Sequence, residues 1–105
     1  MQTIIVTLDI KKLDKIDFAL HDRIVERASE VSDGKVVDGE NGYFSPTGVG
    51  VWLAAENAEE GAELLVKLFE SESFCGNDLT AAAEIFISEQ ERALLFDCTR
   101  VYPTE

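Results

Sequence analysis

Apolar residues alternate along the first stretch of the chain, with Ile4, Val6, Leu8 and Ile10 on one side and Thr3, Thr7 and Asp9 on the other, which predicts a β-strand over 3–10. Ile5 falls among the threonines, so the second side of this strand is expected to be partly covered, as in the interior of a sheet. The period then changes. Leu13, Ile16, Leu20, Ile24, Ala28 and Val31 recur at helical spacing and predict a helix over 15–31, with Asp14 as its N-cap and Asp17 in its first turn. Ser32, Asp33 and Gly34 end it, the glycine in a left-handed cap. Residues 35–44 open as a β-type run and then pass through two turn dipeptides, Asp38-Gly39 and Asn41-Gly42, so this strand is expected to be bulged or broken into a local excursion. A turn at Ser45-Pro46-Thr47-Gly48 leads into a second alternating run over 49–55, where Val49, Val51 and Leu53 oppose Gly50, Trp52 and Ala54.

Residues 57–74 then read as an acid-rich amphipathic helix. Asn57 is a good N-cap and Glu60 stands three residues on, the spacing of a capping box. Ala58, Ala62, Leu65, Leu68 and Phe69 share a stripe that can be buried on a sheet. The following ten residues, 71–80, are expected to form a long loop, a kind of connection that is often functional or mobile. A strand over 81–88, a turn at 89–91 and a final strand over 92–102 that Pro103 stops complete the pattern. The element order is β-α-β-β-α-β plus one strand. It predicts a single α+β domain over 1–105, a ferredoxin-like split β-α-β sandwich with helices on one face of a mainly antiparallel sheet.

Composition changes this picture in one respect. A chain of 105 residues can bury roughly two thirds of its unfolded surface and should fold unaided. Its net charge is −12, and the acidity is regional: over residues 36–91 twelve acids face one base, Lys67. Such a field repels nucleic acid and anionic membranes and attracts basic partners, so neither nucleic acid nor a membrane is expected as a ligand. The apolar runs are too short for a membrane-spanning helix. The start, MQTIIVTLDI, lacks the basic residues of a signal peptide, so a cytoplasmic location is expected.

The candidate chemistry is sparse. His21 is the one histidine and reads as a helix residue with no nucleophile tied to it. Cys75 and Cys98 are too few for a disulfide framework or a zinc site, and Cys75 stands among acids that oppose a thiolate. Asp38-Gly39-Glu40-Asn41-Gly42 has alternating oxygens like a calcium loop, but its flanks read as strands and turn chemistry accounts for it. Gly48-Val49-Gly50 enters a strand instead of opening a helix, which makes it a poor phosphate loop. No catalytic, cofactor or metal residue is expected, and the chain is read as a non-enzyme.

What remains is an acidic surface with aromatic anchors. Asp38, Glu40, Glu56, Glu59, Glu60, Glu63, Glu70, Glu72 and Asp78, with Tyr43, Phe44 and Trp52, are the expected residues for docking a basic protein, such as a toxin or a nucleic-acid-processing enzyme. In its size, acidity and lack of a catalytic motif the chain resembles the small immunity proteins of bacterial toxin–immunity systems. That resemblance implies one-to-one inhibition of a toxin domain. The alternative is a small-molecule-sensing regulatory module acting as a homodimer, with Trp52 and the 71–80 loop bordering its pocket.

Overall fold

A computed structural model describes residues 1–15, 17 and 19–103. The chain forms β1 (Gln2–Asp9), α1 (Leu20–Val31), β2 (Val36–Phe44), β3 (Gly48–Ala55), α2 (Ala58–Ser71), a single helical turn α3 (Leu79–Ala82), β4 (Ala83–Ser88) and β5 (Thr99–Tyr102). It is an α+β fold. The strands make one antiparallel sheet in the order β2-β3-β1-β4-β5, so β1 lies at the centre and β2 and β5 at the edges.

The core forms where the alternation meets the helical stripes. Ile4, Val6 and Leu8 of β1, Val49, Val51 and Leu53 of β3 and Ile85 of β4 share a cluster with Leu20, Ile24 and Ala28 of α1 and Leu65, Leu68 and Phe69 of α2. The helices pack side by side on this face. Gly61 of α2 makes the close approach possible: a Cβ there would lie 2.5 Å from the end of Ile4.

Among the described residues no α-helix packs on the other face, yet it is not open. Ile5 is fully buried there between Trp52 of β3 and Phe86 of β4, its cross-strand neighbours. The cover is the chain between β4 and β5, residues 89–98, which runs over the sheet as a strap. Buried Thr3 ties it down, donating its hydroxyl to Gln90 O at 2.7 Å and accepting from Ala93 N at 3.0 Å. The Trp52 indole N–H donates to Ala93 O at 3.0 Å, so both backbone groups of Ala93 are satisfied by side chains. This is why the expected strand over 92–102 shrinks to Thr99–Tyr102. A residue whose N–H and C=O are already bound has none to offer a neighbouring strand.

Two other expectations change for related reasons. The first helix starts at Leu20, not at 15, and Asp14 does not cap it. Instead, the side chain of fully buried Asn77 grips the backbone of Lys15, accepting from Lys15 N at 2.7 Å and donating to Lys15 O at 2.8 Å, which takes that peptide out of helical bonding. Ile16, expected on the helical stripe, lies outside the described residues. Asn77 itself belongs to a two-residue turn in which Phe74 and Asn77 exchange backbone hydrogen bonds at 2.8 Å across Cys75 and Gly76. Both turn residues have positive φ, 51° and 83°, as a type I′ turn needs. The 71–80 segment is therefore a pinned turn and α3, not a long loop. Asp78 caps α3 by accepting from Thr80 N at 3.0 Å, so 81–82 join a helical turn and the strand begins at Ala83.

Thr3→Val keeps the shape but leaves the Ala93 N–H without a partner, and Asn77→Ala does the same to the Lys15 backbone. Each should cost about 1–3 kcal/mol of stability in urea unfolding. Only Thr3→Val should change Trp52 emission and the hydrogen exchange of Ala93; unchanged emission in that variant would mean that the strap is held by something other than Thr3.

Candidate functional site

The bulge expected in the second strand is present and shapes the sheet edge. Asp38 pairs with Leu53 and Gly42 with Val51, so Gly39, Glu40 and Asn41 stand opposite Trp52 alone. Local hydrogen bonds hold the excursion: Glu40 N donates to Asp38 Oδ1 and Gly42 N to Asn41 Oδ1, both at 2.8 Å. Glu40 adopts φ 59°. The side chains of Asp38, Glu40 and Asn41 are carried outward into solvent.

On the helix side of this edge is an open concavity of about 500 Å³ lined by Asp17, His21, Asp38, Glu40, Tyr43 and Phe44, among others. His21, in the first turn of α1, reaches over Gly42, where a Cβ would lie 3.0 Å from the imidazole. Its Nδ1 is 3.1 Å from Asp22 Oδ1 and its Nε2 3.5 Å from Asn41 O. Tyr43 and Phe44 remain 42% and 44% exposed. Tyr43 lies across Gly50 on the neighbouring strand, and its ring meets Trp52 edge-on at 6.0 Å. Trp52, expected as an anchor, is half-buried with its N–H committed to the strap.

Three carboxylates line this concavity, of which Glu40 is approached by Arg92 at 3.9 Å; among the described residues lining it there is no lysine, arginine, serine, threonine or cysteine. His21 is thus a titratable group without a nucleophile to activate. Both thiols are pushed up by burial, Cys75 further by Asp17 and Cys98 by Asp97, which opposes thiolate formation. Among the described residues no group of three or more His, Cys, Asp or Glu is placed to hold a metal ion. What the edge offers chemically is negative charge beside aromatic area, a combination that suits a guanidinium or ammonium group.

The acids of α2 lie elsewhere. Ala58, Ala62, Leu65, Leu68 and Phe69 turn inward, and Glu59, Glu60, Glu63 and Glu70 stay exposed; Glu56, just before the Asn57 cap, is exposed too. Asn57 Oδ1 accepts from Glu60 N at 3.1 Å. Glu60, Glu63 and Glu72 line a groove of about 430 Å³ between the helices, together with Lys67. The twelve expected docking residues therefore do not form one patch: Asp38, Glu40, Tyr43 and Phe44 meet at the sheet edge, and the α2 acids face the helix side.

Besides Asp38, which accepts from Glu40 N, and Glu40, which lies 3.9 Å from Arg92, two more of the expected acids are engaged within the fold. Glu72 accepts a forked pair from Arg27, with Nε at 3.0 Å, and Arg27 also reaches Glu30 at 3.2 Å. The Arg27 guanidinium holds the Glu72 carboxyl below its ordinary value. The Thr80 hydroxyl and amide hold the Asp78 carboxyl down in the same way. Neither acid is at rest waiting for a ligand. Conversely, Asp17 and His21 were not expected at the site, because a helix starting at 15 would have set them on a continuous helical face. Leu94 and Phe96 fall within the expected strand over 92–102, but the structure sets them on the strap before β5. The signal against that strand was available: Leu94, Leu95 and Phe96 are three consecutive apolar residues, which no period of two explains.

No protein-family model, curated protein or solved structure matches this chain.

The Arg27–Glu72 pair gives a pH-dependent test. Folding lowers the Glu72 pKa, so the pair stabilises fully above the ordinary value of 4.5 and loses its contribution as pH falls through the lowered one. Glu72→Gln should lower the urea midpoint at neutral pH, and the difference from wild type should vanish in acid. A difference that persists at low pH would show that packing, not charge, holds Glu72.

Proposed function

We propose that this protein is a non-catalytic, acidic binding protein that docks on a basic protein partner, in the manner of the small immunity proteins it resembles. One observation carries the reading. In a stretch where twelve acids face one base, the β2 excursion sets Asp38 and Glu40 beside the exposed rings of Tyr43 and Phe44. The field of the carboxylates steers a basic partner into encounter, and the aromatic area slows its departure. The partner class that fits is a toxin or nucleic-acid-handling domain with a basic cleft, where carboxylates stand in for phosphates.

The scaffold suits that task. The sheet order, with β1 between β3 and β4 and two helices joining the strand pairs, is one we read as a ferredoxin-like split β-α-β arrangement extended by β5. The bulge and its acids keep the β2 edge from pairing with a strand of another chain, which leaves side chains as the means of recognition.

Protein immobilised through its C-terminus and exposed to lysate of its source cells should retain one basic protein at low salt and release it at high salt. The D38K/E40K double variant should slow association at least about tenfold, and Y43A/F44A should speed dissociation. The triple reversal of Glu59, Glu60 and Glu63 to Lys tests the α2 face separately. Retention indifferent to salt and to all these reversals would overturn the proposal, and a stable homodimer with no partner would favour a ligand-sensing module instead.

A further inference from the structure

The strap does more than close the sheet. Its 3-10 turn, Leu95–Asp97, is held by Asp97 N donating to Leu94 O at 2.9 Å and Cys98 N donating to Leu95 O at 3.1 Å. Leu95 is half-buried, while Leu94 is 52% exposed and Phe96 83%. With Ala93 tied to Thr3 and Trp52, these two side chains are displayed on a fixed backbone. A displayed side chain on a fixed backbone loses little entropy when a partner covers it.

Beside the strap is a concavity of about 640 Å³ where the β4–β5 end of the sheet meets the start of α2, lined by Gln2, Asn57, Glu59, Glu89, Asp97 and Thr99, among others. Three carboxylates and no base line it. The start of a helix would ordinarily attract an anion, but here two of its donors are occupied: Ala58 N donates to Gln2 Oε1 at 2.8 Å and Glu60 N to Asn57 Oδ1 at 3.1 Å. The charge left over is negative. The site therefore suits an ammonium or guanidinium, and its Asp97 directly follows the exposed Phe96 in the chain.

We propose that Leu94 and Phe96 with this concavity form a docking surface for a basic segment of a partner protein, one whose lysine or arginine enters among Glu59, Glu89 and Asp97 while its apolar neighbours cover Phe96. The proposal rests on the basic-partner reading and adds where, and by what chemistry, the segment is gripped. A second copy of this chain is a poor occupant, since a net charge of −12 and an all-acidic concavity repel it. The other end of the strap meets the sheet edge: Glu91 and Arg92 share a groove with Asp38 and Glu40, and Arg92 Nη2 comes within 3.9 Å of Glu40 Oε2.

The test is selection of phage-displayed random peptides on the immobilised whole protein, with the enriched peptides then measured against L94S/F96S and E59K/D97K. All four residues are exposed, so both variants should keep the fold, and their far-ultraviolet circular dichroism checks it. Enriched peptides should carry Lys or Arg next to Leu, Ile, Phe or Trp, bind more weakly in high salt and lose at least about tenfold in affinity with either variant. No enrichment, or basic peptides that bind both variants undiminished and respond only to D38K/E40K, would overturn the strap assignment while leaving the basic-partner reading intact. Enrichment of uncharged or acidic peptides would sink both. A wild-type dimer in sedimentation that L94S/F96S turns into a monomer would assign Leu94 and Phe96 to self-association and overturn the proposal.

Discussion

A central strand that is apolar on both faces needs two covers, and β1 is such a strand. Ile4, Val6 and Leu8 are met by the helices, whereas Ile5 points to the side where no α-helix packs among the described residues. The strap supplies the missing layer at the cost of a few polar tethers, Thr3 and Trp52 taking up the backbone of Gln90 and Ala93. Much else follows from that arrangement. Trp52 becomes a roof support with Tyr43 leaning on its edge, β5 is left short, and the apolar residues that the strap has no room to bury emerge on the outer surface.

The elements that the sequence disclosed are those whose side-chain pattern and caps lie within the element itself. α2 could be read from its cap and its stripe because both lie within a few residues of each other, and β1 and β3 from simple alternation. The β2 excursion was legible because Asp-Gly and Asn-Gly are local turn chemistry. What escaped reading depends on residues far apart in sequence. Asn77 reaches back to Lys15 and delays the start of α1; Thr3 reaches forward to Ala93 and replaces a strand by a strap. No window of a dozen residues holds such a contact. The candidate site was half legible for the same reason. Asp38, Glu40, Tyr43 and Phe44 are near neighbours in the chain, but Asp17 and His21 join them only after the first helix has been shortened and laid beside the sheet edge.

The acidity divides into what the fold uses and what it leaves. Arg23, Arg27 and Arg100 are drawn into pairs with Glu26, Glu30, Glu72 and Glu84, so several of the few bases answer acids of this same chain. Exposed pairs of this kind add little stability, but they remove positive charge from the outside field. The excess therefore collects where few bases reach: the sheet edge, where Arg92 approaches Glu40, the mouth beside the strap, and the outer side of α2, where Lys67 stands among the acids. A small domain that tolerates this much self-repulsion does so on the strength of its apolar core.

The Thr3 tether also constrains the order of events when the chain is made. Thr3 bonds to residues 87 and 90 positions away, and β1 gains its own neighbours only when β3 and β4 have been synthesised. Until residue 93 has emerged, the row formed by Trp52, Ile5 and Phe86 has no lid. A nascent chain halted short of that point carries an apolar stripe of the kind that chaperones bind and that aggregation exploits. The strap is thus a late-made segment that seals an early one.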